Sequence, residues 1–424
     1  MVYKILLTHA VNPASMARFL SVTAVAALTY ATPSHASDHV SDSILPRQTV
    51  VLNPLSFAVL GNNGSFRNDS ITQFFNPTST EPPFFQVFHP SFLSILGFNA
   101  SIRVVASNAS FAFAHEAPIW DRTTDEVFFA SNAGGALGHS DINHNNFVGK
   151  ISLSAVSQAT ESSVDFSSPV NVPVTELSLP DTIQMANGGT GPYHGSLLLV
   201  TQGRGQLPPS MALVNPQEPH NVTVLLDNFF GRQFNSLNDV KVHPTSGKFF
   251  FTDVRYGFLQ HFRPDPLLPS QVYRFDPDTG AVRVVADGFD LCNGIAFTQD
   301  GKTAYVTDTG ALGGFLGNNQ TAPATIYQFD VDPKSQAFSN RRVFAYVDTG
   351  IPDGIQLDNN SNVYAGCGDG VHVWNDEGTL LGKFYVGSLS ANMVFAGKGR
   401  LVILADTAIY LAQIAAEGVD LAKF

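Results

Sequence analysis

Residues 293–308 read NGIAFTQDGKTAYVTD. The apolar side chains of Ile295 and Phe297 fall two apart, the period of a strand with one buried face. The polar stretch Gln299-Asp300-Gly301-Lys302 turns the chain, and Ala304, Tyr305 and Val306 form a second apolar strand. The unit is a β-hairpin. It recurs without gaps as EAPIWDRTTDEVFFAS from Glu116, NDVKVHPTSGKFFFTD from Asn238 and DGIQLDNNSNVYAGCG from Asp353. Looser copies are NGGTGPYHGSLLLVTQ from Asn187 and ANMVFAGKGRLVILAD from Ala391. The intervals hold further strand pairs, residues 272–275 with 282–285 about the turn Asp276-Pro277-Asp278-Thr279-Gly280, and 326–329 with 343–347. Six units of four strands describe an all-β, six-bladed β-propeller. Residues 102–105, ahead of the first unit, are placed to close the ring against the last blade.

Composition agrees with that fold. Of 424 residues only 14% are charged, while Gly (35), Pro (25) and Phe (34) are plentiful, which favours strands and turns over helices. The formal net charge of −12 argues against a nucleic-acid partner, since phosphate binding needs clustered Lys and Arg. Arg18 precedes an apolar run over residues 19–30, and Ser34-His35-Ala36 offers a cleavage site before Ser37. Residues 1–36 are therefore expected to be a signal peptide, with Met16 as an alternative start, and the run is too short to span a bilayer. Residues 37–100 are expected to be an N-terminal arm leading into the propeller, and 101–424 the catalytic propeller. No second apolar run of membrane length follows, so a secreted, soluble protein without a membrane partner is expected. Seven Asn-x-Ser/Thr sequons fit that route: Asn63, Asn68, Asn99, Asn108, Asn221, Asn319 and Asn359. The two cysteines, Cys292 and Cys367, allow one bridge or two buried thiols.

Position one of the aligned units holds Glu116, Asn187, Asn238, Asn293, Asp353 and Ala391. The innermost strands of a propeller line its central channel, so the residues opening them converge at one mouth. Two carboxylates with two or three amide carbonyls make an all-oxygen cage, which suits Ca²⁺ better than Zn²⁺. Asn-Gly and Asp-Gly are also common turn dipeptides. Here, however, they open the inner strand in one register, and the hairpin turn falls several residues later. The tract Gly138-His139-Ser140-Asp141-Ile142-Asn143-His144 resembles a short metal-binding run. No Gly-x-Ser-x-Gly elbow, His-Glu-x-x-His pair or phosphate loop is present.

The segment His115-Glu116-Ala117-Pro118-Ile119-Trp120 resembles a Glu-Gly-Pro-x-Trp motif with Ala for Gly, and Asn238-Asp239, Asn293-Gly294 and Pro352-Asp353-Gly354 match its companions. Through these residues the chain resembles the senescence-marker-protein/gluconolactonase family, above all its secreted fungal lactonohydrolase branch. The resemblance is strong over residues 230–385 and weak before residue 100. It implies a six-bladed propeller that holds a divalent metal, usually Ca²⁺, on Glu116, Asn238, Asn293 and Asp353. Asn238 is included because the related paraoxonases and phosphotriesterase-type propellers carry an Asn ligand there. The implied reaction is hydrolysis of a small lactone, with Asp353 as general base and His115 or His194 as alternatives. Asp239, Asn187 and His194 are expected to position substrate. Sugar-lactonase members tend to carry an Arg two residues before the Asn-Asp pair. Here Ser236 stands there, with Arg232 out of register, which leaves room for pantolactone or another aldonolactone. A paraoxonase-like arylesterase or phosphotriesterase is the alternative enzyme, and a non-catalytic extracellular binding propeller the alternative of another class. The oligomeric state is not legible.

Overall fold

A computed structural model describes residues 45–162, 165, 167–397 and 399–419, so the expected signal peptide lies outside the described residues. Six sheets fold from the hairpin units. Their inner strands are Glu116–Asp121, Ala186–Tyr193, Leu237–Val242, Cys292–Phe297, Ile355–Leu357 and Asn392–Phe395. Blade three shows the pattern, a meander outward through Leu237–Val242, Phe249–Asp253, Gln271–Phe275 and Val282–Ala286. Blade six is completed by the strand Ser101–Ser107, which pairs antiparallel with Ala408–Gln413 and so joins early chain to late chain. Closing the ring this way leaves only short, protected edges.

The N-terminal arm extends blade five. Phe84–Val87 pairs antiparallel with Leu380–Tyr385, and Thr49–Val51 adds a parallel outer strand. Between them the arm crosses the loops of blades four and five, where Arg67 Nη2 meets Asp348 Oδ2 at 3.3 Å and Gly350 N donates to Ser70 O at 2.6 Å.

Blades are glued by aromatic packing. Phe250 of blade three lies 4.9 Å from Phe297 of blade four and stacks on Phe338 at 5.7 Å, all ring centroids. A buried Phe of this kind contributes roughly 1.5–3 kcal/mol by burial alone. Cys292 and Cys367 are both buried free thiols and are not bridged to each other. Burial pushes both thiols well above their ordinary pKa.

What aims position one into the channel is a repeated irregularity. Strand register slips between Leu237 and Val240, between Cys292 and Ile295, between Ala186 and Gly189, and between Glu116 and Ile119. Each slip is a β-bulge, which bends a strand and re-aims a side chain. The glycines of the Asn-Gly and Asp-Gly pairs then serve close approach, not a turn. A Cβ on Gly294 would sit 2.5 Å from the Asp353 carbonyl oxygen of the next blade, and one on Gly354 would sit 2.2 Å from the Asn392 side chain.

Candidate metal centre and active site

Glu116, Asn238 and Asn293, at their bulges, and Asp353, just ahead of the regular strand Ile355–Leu357, meet at one mouth of the channel, each at most 6% exposed. Threonines of the second strands hold the backbone of this ring. Thr252 Oγ1 donates to Asn293 O at 2.7 Å, and Thr307 Oγ1 to Asp353 O at 2.9 Å. Three buried oxygens of the ring have no hydrogen-bond partner among the described residues: Asn238 Oδ1, Asn293 Oδ1 and Asp353 Oδ1. Burying such atoms unpaired costs roughly 1–3 kcal/mol apiece. Glu116 Oε2 accepts one hydrogen bond, from Asn392 Nδ2 at 2.7 Å. Burial and the neighbouring Asp353 raise the Glu116 carboxyl well above its ordinary pKa. Burial raises Asp353 to about 6, against the pull of His115. Two crowded carboxylates with unpaired amide oxygens beside them form a donor set of hard oxygens that fits Ca²⁺.

His115 stands at the same point. Ligating atoms of His115, Glu116 and Asp353 lie within 4.8 Å of one another. Its Nδ1 meets Asp406 Oδ1 at 2.6 Å, which leaves Nε2 as the second ring nitrogen. Burial lowers the imidazole pKa, but Asp406 and then Asp353 outweigh it and the net shift is upward.

The cavity above the ring measures about 120 Å³. Asn187 lines it, yet its Oδ1 accepts from Gln202 Nε2 and its Nδ2 donates to Asn238 O, both at 3.0 Å, so it braces the ring. Gln202 and Gln260 also line the cavity, and each has a buried, unpartnered Oε1. Asp239 does not line it. Its Oδ1 takes Val240 N–H at 2.8 Å within its own strand, and its Oδ2 takes Ile295 N–H at 3.0 Å and so ties blade three to blade four. Nor does the structure bring His194 to the ring. It is exposed in the turn at the far end of Ala186–Tyr193, roughly 20 Å along the strand from Asn187. Ser236 buries its hydroxyl between Gly257 N and Asn235 O. His139 and His144 do not converge: His139 stacks on Phe111 at 4.9 Å, and His144 Nδ1 meets Asp141 at 2.9 Å on the surface. A wider cavity of about 410 Å³ opens at the other end of the channel, beside Trp120, Lys241 and Gln356, with no comparable cage among the described residues.

Asp406 and Gln202 were not singled out by the sequence, although a signal exists. Both are the sixteenth residue of their units, where blades three and four carry Asp253 and Asp308. Those two aspartates accept backbone N–H groups of the incoming chain, from Asn235 and Ser236 and from Asp290 and Leu291. In blade six the same position turns to His115 instead.

The chain is thus a six-bladed propeller with buried carboxylate and amide oxygens at one channel mouth and a carboxylate-held histidine beside them. Residues 115–406 match the SMP-30/gluconolactonase/LRE-like region, and the chain belongs to that family. Lactonohydrolase oryL of Aspergillus oryzae is 29% identical over 358 residues, covering 78% of this chain and 76% of its own length. The gluconolactonase structure from Xanthomonas campestris superposes with a TM-score of 0.61 at 23% identity, covering 78% of this chain and 94% of that one. Regucalcin from Agrobacterium tumefaciens, described as calcium-binding, superposes with a TM-score of 0.51 at 14% identity, covering 74% and 96%.

Proposed function

We propose that this lactonase uses Ca²⁺, held by Glu116, Asn238, Asn293 and Asp353, to open the ester ring of a small lactone to its hydroxy acid. The observation that carries the metal is the set of three unpartnered buried oxygens on successive blades. When bound, the cation supplies Lewis-acid polarisation of the ester carbonyl. The chain's own residues do the rest. Asp406 fixes the His115 ring through Nδ1, so that Nε2 can accept a proton from the attacking water. Asp353, buried and raised to about 6, is the alternative acceptor. Gln202 and Gln260 offer free amide oxygens to a substrate hydroxyl. Lactonase activity over an arylesterase or phosphotriesterase activity is favoured by the lactonohydrolase relative.

The test is a pH-stat panel of lactones and aryl esters, with and without chelator. Chelator-sensitive lactone hydrolysis is the expected outcome, and hydrolysis unaffected by chelator would remove the metal from the reaction. His115→Gln should lose about 10² to 10⁴ in kcat without rescue by added Ca²⁺.

Secretion and N-glycosylation belong to the same proposal. All seven sequon asparagines are exposed, so each is open to modification. Protein made in a eukaryotic host should gain gel mobility on enzymatic deglycosylation, and no shift would oppose the secretory route.

A further inference from the structure

Beside the ring residues and Asn132, Gln202 and Gln260, the cavity is lined by Ala133, Leu312, Ile351 and Leu389, with Tyr256, whose hydroxyl is already bonded to Thr309. Among the described residues, no Lys or Arg lines this cavity. The nearby Arg263 spends its guanidinium on Gly205 O, Leu207 O and Gln233 Oε1. At about 120 Å³ the enclosed space is below the roughly 300–1,000 Å³ of a site that swallows a whole ligand, so substituents on a bound ring must extend past the rim.

That rim is apolar. Leu312 leads directly into the turn Gly314–Leu316, where Phe315 is 47% and Leu316 66% exposed. Phe315 is held by Phe258 at 5.4 Å, edge-on, and by stacking on His261 at 4.5 Å. These partners flank Gln260, so the rim is continuous with the cavity wall.

We infer that the substrate is a lactone bearing an apolar, alkyl-type substituent, its ring over the carboxylate–amide floor and its chain along Leu312, Ile351, Leu389 and the Phe315–Leu316 rim. The inference rests on the lactonase reading and adds the substrate class. A polyhydroxylated ring would lose water from each hydroxyl and, beyond the two free oxygens of Gln202 and Gln260, meet the apolar Ala133, Leu312, Ile351 and Leu389. An alkyl chain instead leaves water for an apolar surface, and each buried methylene should raise kcat/KM roughly fourfold.

The experiment uses the full-length, Ca²⁺-loaded protein. kcat/KM is measured for γ-butyrolactone, γ-hexalactone, γ-octalactone and γ-decalactone, with glucono-δ-lactone as the polyol. Binding of the matching 5-alkyl-γ-lactams, which keep ring and carbonyl but resist opening, is followed by calorimetry. The expected result is a rise in kcat/KM with chain length, tighter lactam binding, and a heat-capacity change growing more negative with each added methylene. Leu316→Asp with Phe315→Ser, checked for an unchanged melting curve, should cut the decalactone-to-butyrolactone ratio by about tenfold. Flat chain-length dependence, or preference for the polyol, overturns the inference while leaving lactonase activity standing. Absence of all lactone hydrolysis instead removes the underlying reading. Chain-independent binding together with self-association abolished by Leu316→Asp would assign the rim to a second copy of the chain and also overturn it.

Discussion

At the scale of single residues, the ring at position one was legible because a repeat in fixed register marks equivalent places, and bulges at equivalent places aim equivalent side chains. What the alignment hid is the backbone. In blade one the slip lies between Glu116 and Ile119, one residue later than in blade three, and Ala117 carries φ 53. That left-handed conformation costs a side-chain-bearing residue about 1 kcal/mol relative to Gly. Ala117→Gly should therefore raise stability by up to about 1 kcal/mol in denaturant unfolding, and a loss would mean that the alanine methyl packs more than it strains. The roles within the ring separate by metal titration. Asn293→Ala removes a neutral oxygen, so its activity should recover as Ca²⁺ is raised. Asp353→Asn keeps an oxygen and loses a charge. Recovery at high Ca²⁺ would make Asp353 a ligand only and leave proton transfer to His115, whereas persistent loss would make it the base. The Asp239 and His194 expectations failed to meet the ring for one reason, that pattern gives a residue's place along a strand but not what its side chain finds there. Asp239 finds two backbone N–H groups, and His194 finds the wrong end of the strand.

At the scale of the element, blade five differs from its neighbours in a buried charge cluster. Lys383 Nζ lies 3.0 Å from Asp369 Oδ2 and 2.8 Å from Asp348 Oδ1, and His372 Nε2 meets Asp369 Oδ1 at 2.6 Å. Arg67 of the arm adds to Asp348 from outside, so the cluster underpins the place where the arm crosses the propeller. None of this was legible, since the four residues come from separate strands and loops with no shared period. Burial alone would raise Asp369, but His372 and Lys383 outweigh it and hold its carboxyl well below the usual range. A depressed carboxyl contributes stability above its unfolded pKa, near 4, and loses it as pH falls through the folded value. Lys383→Met should cost about 3–5 kcal/mol at neutral pH, because it leaves buried Asp369 with less counter-charge. Asp369→Asn should flatten the acid limb of the stability curve below about pH 4. Parallel acid limbs in wild type and Asp369→Asn would show that the cluster does not couple to folding.

At the scale of the whole molecule, the ring closes twice. Ser101–Ser107 closes it at the outer edge of blade six, and the cage closes it at the axis by joining blades one, three, four and five. The outer closure was readable because a lone strand ahead of the first unit has one place to go. The proposed Ca²⁺ would tie those blades together at the axis, and its contribution would follow from mass action. A ligand that binds only the folded chain stabilises it by about 2.7 kcal/mol at a hundredfold excess over its Kd, which for a domain of this size is about 4 °C in Tm. Chelation should lower Tm accordingly. The pH dependence gives the sharper test. Without cation, burial and mutual repulsion raise the Glu116 carboxyl well above its ordinary value and burial raises Asp353 to about 6. The folded chain then binds these protons more tightly than the unfolded chain. Its stability must fall as pH rises from near 4 through 6, because ionising each group costs more in the fold. A bound cation takes over the role of those protons. The Tm difference between Ca²⁺-loaded and chelated protein should therefore be small at pH 5 and widen by pH 7.5. In Glu116→Gln, which removes one of the two charges, the chelated protein should lose much of this pH dependence. A chelation effect equal at both pH values would show that the two carboxylates are not what the cation compensates.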